Sequence, residues 1–488
     1  LLLLRRIFFY LFTAIYIAAC PMTILYALGY ILKPGTERGL VKTGLIYLST
    51  VPPGVSVYIG NKRYTQRTPA ILRDLIPGMY PIGLNLKNYR GWFQDVPVEA
   101  EKATALEKIL LVPEELKRKE LSSEPFERLI PIEKSKFFLL TAGTRPEDLF
   151  VYDWKQEKIR PLFKREDSFA EGKILSLYSV PGSPCLLILV HVRGGEKYLW
   201  VEVGEKESKV EDISACFPEE PVRVEWDPRE KNYLFTLHDN YINRVDIPAH
   251  AVTAHSLENI RGFGLFHRDI YVLRGDFTLE RLDYDGKARE ILLKDRDLGS
   301  SLFGEKGLFQ INVLTKEMIL FLGPGGELLA SRLPYRFLGE GTAGFQFYPS
   351  RERVLVWRKE DIGILDFSKP ARAEEVFEKG PRFLWVFKHG RKIGQAFWVY
   401  DGSHILFRDE NRIFLLEIET HGKPHLYSLL EVKRKTDVAY EESSGKLYYL
   451  DAQSEKLCSV EILPRQEILP FPFPERKEEK KKIEIEEF

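Results

Sequence analysis

Asp283-Tyr284-Asp285-Gly286 opens like a calcium loop, with alternating oxygen donors ahead of a glycine, but the later ligands and the closing bidentate Glu are missing. A turn between strands is the reading it supports. Gly262-Phe263-Gly264 starts a dinucleotide fingerprint, yet it lacks the third glycine and runs into strand-like residues rather than a helix. Gly323-Pro324-Gly325-Gly326 has the glycine content of a phosphate cradle and the composition of a hairpin turn, and the turn is the expectation. His250 and His255 lie five apart, a spacing that matches no zinc pattern. Cys185, Cys216 and Cys458 each lie in or beside an apolar run, as buried thiols do. No GxSxG, HExxH or GxxxxGK[ST] occurs. The linear sequence therefore nominates no catalytic residue, no metal ligand and no cofactor. A constellation assembled from distant segments would escape such a search.

Any site must be carried by elements, and composition bounds them. A chain of 488 residues suggests two to four folding units. Its 71 basic and 71 acidic side chains cancel, so no global field points to nucleic acid. A hydrophobic share of 44% supports sizeable cores and excludes a disordered chain, and 12% aromatics lean toward β-structure. Four cysteines without a CxxC pair exclude a disulfide scaffold and a Cys-rich zinc module.

The N-terminal segment reads as a membrane anchor, residues 1–33. After Arg5 and Arg6, residues Ile7 to Leu32 carry no charge. As one helix they would extend about 39 Å against a hydrocarbon core of roughly 30 Å. Pro21 offers a bend, and Tyr10, Tyr26 and Tyr30 suit the headgroup region. The first residue is Leu rather than Met, which reads as a fragment end or an alternative start. Ile17-Ala18-Ala19-Cys20 resembles the lipobox of bacterial lipoproteins, which would make Cys20 a lipidated N-terminus; the apolar run past Pro21 argues instead for an uncleaved helix. Basic residues flank both ends, with Lys33, Arg38 and Lys42 on the far side. The short leading tail matches a signal anchor, placing the bulk of the chain outside the cytoplasm.

Residues 43–113 change period. Leu45 to Leu48 reads as a buried strand and Val55 to Ile59 alternates, with Pro52-Pro53-Gly54 turning between them. Further turns at Gly60-Asn61-Lys62 and Pro77-Gly78 make about six short strands, the pattern of a small β-sandwich. Thr50 to Gly60, Thr68-Pro69, Ile76 to Tyr80 and Lys87 to Trp92 fall in an order that resembles the PEGA domain. Pro53 and Val55 stand where that family's name-giving motif has Glu and Ala. The resemblance implies an extracytoplasmic envelope module with no known catalytic residues.

Residues 114–128 are charged and bracketed by prolines, as a linker or short helix would be. From 129 to 464 one theme repeats: a strand ending in an aromatic, a polar turn, and two more strands. The clearest copies are Val224 to Ile247, Phe345 to Phe367, Phe397 to Ile418 and Val438 to Ile462, with weaker ones near Phe137, Ile174, Phe263 and Phe309. About eight units at a spacing near 42 predict a β-propeller of eight, or seven, blades. Trp226-Asp227-Pro228 and Asp401-Gly402-Ser403 resemble the turns of TolB-type, WD40-like propellers. Residues 465–488 form a mixed charge run that reads as a disordered tail.

The expected protein is mainly β: an anchor helix, a sandwich and a propeller. Its expected role is an envelope binding or scaffold protein, held at the bilayer and recognising a protein or polysaccharide. The alternatives are a propeller hydrolase or lyase acting on envelope polymers, with side chains converging at the channel mouth, and a structural surface-layer component.

Overall fold

The computed structural model describes residues 2–462, apart from 28, 33–39, 133–134, 165–168, 180–182, 239–240, 258, 295–306, 317, 332–334, 371–380 and 419–423. The tail at 465–488 and the basic residues Lys33 and Arg38 lie outside the described residues.

Helix α1 spans Leu2–Ala27 with Pro21 inside it. Within it, Arg5–Tyr26 has a mean hydropathy of 1.9 and buries nothing, so it is long and apolar enough to cross a bilayer. The charge-free run was expected to continue as helix to Leu32, and it does not. Gly29 takes φ +79° and closes the last turn on the Tyr26 carbonyl. The chain then pairs as β1 (Tyr30–Leu32) with β2 (Leu40–Lys42). Thr43 ties the corner, with both its amide and its hydroxyl donating to the Gly29 carbonyl.

The next seven strands are β3 (Gly44–Val51), β4 (Ser56–Ile59), β5 (Lys62–Arg67), β6 (Ala70–Leu75), β7 (Gly78–Asn85), β8 (Trp92–Val98) and β9 (Ala103–Leu110). They form two sheets in the orders β6-β3-β9 and β5-β4-β7-β8, with β3 and β9 parallel. Alternation does the work: every second residue of β3 and of β8 is buried, so Ile46, Leu48, Trp92 and Val96 meet Val57, Leu72, Ile82 and Leu84 in one core. Gly54 sits at φ +81° in the Pro-Pro-Gly turn, a conformation that favours glycine. Two threonines lock this turn. The Thr50 hydroxyl donates to the Pro52 carbonyl (2.8 Å), and it lies 2.6 Å from the Thr68 hydroxyl, which accepts from the Val55 amide (3.0 Å). Thr68→Val keeps the shape but leaves a buried amide without an acceptor. Chemical denaturation of the variant should show a loss of about 1–3 kcal/mol.

Eight four-stranded antiparallel sheets follow among the described residues. Seven are built from consecutive strands: blade 1 (128–161), blade 2 (173–212), blade 3 (223–256), blade 4 (260–294), blade 5 (310–339), blade 6 (342–387) and blade 7 (393–431). Blade 8 takes three strands from 439–461, and its outer strand is β10 (Arg118–Pro125), paired with Lys456–Glu461. The segment read as a linker thus carries the strand that closes the ring. It escapes notice because it faces water on most of its length and shows no apolar period.

Neighbouring blades share apolar layers around the circle. Leu139 and Val151 of blade 1 pack on Leu186 and Ile188 of blade 2. Trp200 of blade 2 meets Trp226 of blade 3, ring centres 5.2 Å apart. Phe235 and Phe263 share one core cluster, as do Tyr271 and Phe309, Leu320 and Val354, and Leu355 and Trp398. Blade 7 joins blade 8 through Gln395, whose side-chain oxygen accepts from the Val438 amide (2.9 Å). Blade 8 returns to blade 1 through Tyr448, Phe138 and Tyr152. Each sheet alone would expose both faces, so burial requires the complete ring.

Candidate functional site

Within each blade, antiparallel pairing sets the start of the second strand beside the end of the third. Several third strands carry near that end a carboxylate that accepts backbone amides from the residues just after it. Asp153 takes Lys155 and Gln156, Asp246 takes Ala249, Asp283 takes Asp285 and Lys287, and Asp366 takes Ser368. Asp366 also binds Arg353 Nε (3.0 Å). Burial alone would raise its carboxyl, but the bonds from Ser368 and Arg353 prevail and hold it below the ordinary range.

At this end blades 3 and 4 leave a cavity of about 380 Å³, within the ordinary range of small-molecule sites. Its walls come from the first turn of blade 3 (Asp227, Arg229, Glu230), two strands of that blade (Tyr233, Arg244) and two turns of blade 4 (Arg268, Asp283, Tyr284, Asp285). Each side chain is positioned by local bonds. Asp227 Oδ1 accepts the amides of Arg229 (2.8 Å) and Glu230 (3.2 Å), fixing the blade 3 turn. The Tyr284 hydroxyl donates to the His267 carbonyl (2.8 Å), tying the two blade 4 turns together. Arg229 Nη2 reaches His267 Nδ1 at 2.7 Å, and Arg268 lies 3.9 Å from Glu230. Burial, with Asp227 close by, pushes the Tyr284 phenol well above its ordinary range, so it stays a neutral donor. Arg244 stands between two rings, its guanidinium carbon 4.5 Å from the centre of Tyr233 and 5.4 Å from that of Tyr284.

Of the stretches singled out in the sequence, Asp283-Tyr284-Asp285-Gly286 is a blade turn, and three of its residues line this cavity. His250 and His255 are not brought together. His250 Nε2 lies 2.8 Å from Glu211 Oε1 of blade 2, while His255 stands in the outer strand of blade 3 beside Gly286. Gly323 to Gly326 form the hairpin of blade 5, with the Gly325 amide on Glu327 Oε2 (2.8 Å). Cys185, Cys216 and Cys458 are free and buried, and burial pushes the Cys458 thiol up to about 11. Arg5 and Arg6 are exposed on the first turns of α1, and Cys20 is half-buried near its far end.

Gly262 and Gly264 serve packing. A Cβ on either would strike the main chain of blade 5, at the carbonyls of Phe309 and Ile311 respectively. These glycines let the first strands of blades 4 and 5 approach backbone to backbone. Gly264→Val should therefore lower stability by about 1–3 kcal/mol or more in a denaturant titration, while Gly194→Val, in open space, should change little.

Linear reading missed Arg229, Tyr233, Arg244 and Arg268. The available signal was the Asp late in several third strands (Asp153, Asp246, Asp283 and Asp366), which marks the end where such turns converge.

The PEGA domain family matches residues 43–111. No curated protein matches the sequence. Among solved structures, BamB from Moraxella catarrhalis is similar at 13% identity and a TM-score of 0.42, covering 70% of this chain and 99% of its own. The Dos1 propeller is similar at 12% identity and a TM-score of 0.45 (71% and 94%). The Cps50 (Swd1) β-propeller domain of Myceliophteria thermophila is similar at 10% and 0.38 (71% and 99%). Residues 43–111 thus match the PEGA domain family, and they lie in a chain that also carries one apolar N-terminal helix before them and a ring of four-stranded propeller blades after them.

Proposed function

We propose that this chain is a binding and scaffold protein of the cell envelope, anchored at residues 1–33 with its bulk outside the cytoplasm. Residues 43–113 act as a stalk, and the ring over 129–464, with its closing strand, recognises a protein or polysaccharide partner. The observation that carries this reading is the charged cleft between blades 3 and 4, a concave site on elements fixed by hydrogen bonds and inter-blade packing. The PEGA match and the apolar helix support the envelope setting, since a helix of this length and composition suits a single bilayer crossing. Cys20 is the residue to which a lipid would be attached if the leader is processed instead.

The test is a pull-down with the full chain in detergent micelles against solubilised envelope proteins, beside a glycan array. Specific retention of one protein or glycan class, weakened by Arg229→Ala or Arg268→Ala, is the expected result. A chain that retains nothing from either would end the binding reading.

A further inference from the structure

Among the described residues Arg244 has no acceptor. It projects from the third strand of blade 3, gripped by the rings of Tyr233 and Tyr284, and its Nε is buried with no hydrogen-bond partner. Among the described residues no carboxylate pairs with it. A guanidinium presents its N–H donors as a rigid fork, and a carboxylate is the acceptor that fits the fork. The rings hold the fork in place at the wall of the cavity, so a ligand need not order it.

The rest of the lining restricts what that ligand can be. Four carboxylates (Asp227, Glu230, Asp283, Asp285) face three guanidinium groups (Arg229, Arg244, Arg268), an excess of one negative charge. A polyanion such as a phosphate ester would be repelled by four carboxylates, and a simple cation would leave Arg244 unmatched. A molecule with one carboxylate and one ammonium a few ångströms apart satisfies both halves. The cavity volume suits such a unit with a side chain of moderate size.

We propose that the cleft between blades 3 and 4 binds a zwitterionic amino-acid unit, its carboxylate on Arg244 and its ammonium on the surrounding carboxylates. This rests on the binding role above and narrows its ligand. A free amino acid and the end of a short peptide share the chemistry, and the assay separates them.

Titration calorimetry on the full chain in detergent would use the free L-amino acids, trialanine and trilysine, each also N-acetylated and C-amidated. At least one unblocked probe should bind below about 10 mM, a weak but measurable affinity. Blocking either charge should weaken it at least tenfold. Preference for free amino acids or for peptides names the source. Arg244→Gln should weaken binding at least tenfold. Asp285→Asn, at an exposed turn position that does not hold the fold, should weaken it several-fold and keeps the test valid if the Arg244 variant misfolds. No binding by any probe, indifference to blocking, or stronger binding of a neutral oligosaccharide would overturn the proposal. If the probes fail while an envelope partner is still retained in the pull-down, the ligand class falls and the binding role stands. Failure of both removes both.

Discussion

Replacing Arg118–Pro125 by a Gly/Ser segment of equal length will open the propeller and lower its unfolding temperature by roughly 10 °C or more. The strand pairs Arg118, Lys119 and Glu120 with Val460, Ser459 and Cys458, and Pro125 with Lys456. Its Ser122 hydroxyl accepts from the Leu457 amide (2.9 Å), and Arg118 Nη1 reaches Asp451 Oδ1 at 2.6 Å. Net contributions of about 0.5–1.5 kcal/mol per strand hydrogen bond add up to several kcal/mol. The half-exposed ion pair adds little to that. The larger effect is cooperative. Without its outer strand, blade 8 loses cover over Leu457, and Lys456–Glu461 becomes a free edge beside the seam of Tyr448, Phe138 and Tyr152. Differential scanning calorimetry and limited proteolysis would report it, with cleavage appearing first near 439–461. An unchanged transition would mean the ring does not depend on its N-terminal strand.

That strand shows what the sequence could and could not disclose. Blades 3, 6, 7 and 8 were legible because their inner three strands are apolar and separated by turn residues, as in Trp226-Asp227-Pro228 and Tyr400-Asp401-Gly402. Outer strands carry no such signal. Ser208–Asp212 and Leu426–Glu431 are exposed or half-buried along their length, and β10 reads as a charged stretch. Only pairing with residues more than 330 positions away makes β10 a strand. The sandwich was legible because its turns are local chemistry: Pro52, Pro53 and Gly54 specify a bend whatever surrounds them. The cleft was hidden for the opposite reason. Arg244 is one polar residue in an alternating strand, and its meaning comes from Tyr284, forty positions later on another blade.

Phe12→Arg combined with Ile15→Arg will move the protein from the membrane fraction to the soluble fraction. Both positions fall near the middle of the apolar segment Arg5–Tyr26 and are exposed on α1. Each arginine near the helix centre costs about 2.5–3.5 kcal/mol for insertion, so the pair disfavours it by roughly 5–7 kcal/mol, four to five orders of magnitude. The sandwich and ring share no core residue with these positions, so circular dichroism and calorimetry of residues 43–462 should stay as in the parent. Carbonate extraction reads the partition. Intact mass of the parent separates the two uses of the same helix. A retained anchor leaves Arg5 and Arg6 on the mature chain, whereas processing at Cys20 removes them and adds lipid, a gain that Cys20→Ala would abolish. If the double-arginine chain stays in the bilayer at parental levels with Cys20 unmodified, the helix is not what holds this protein at a membrane.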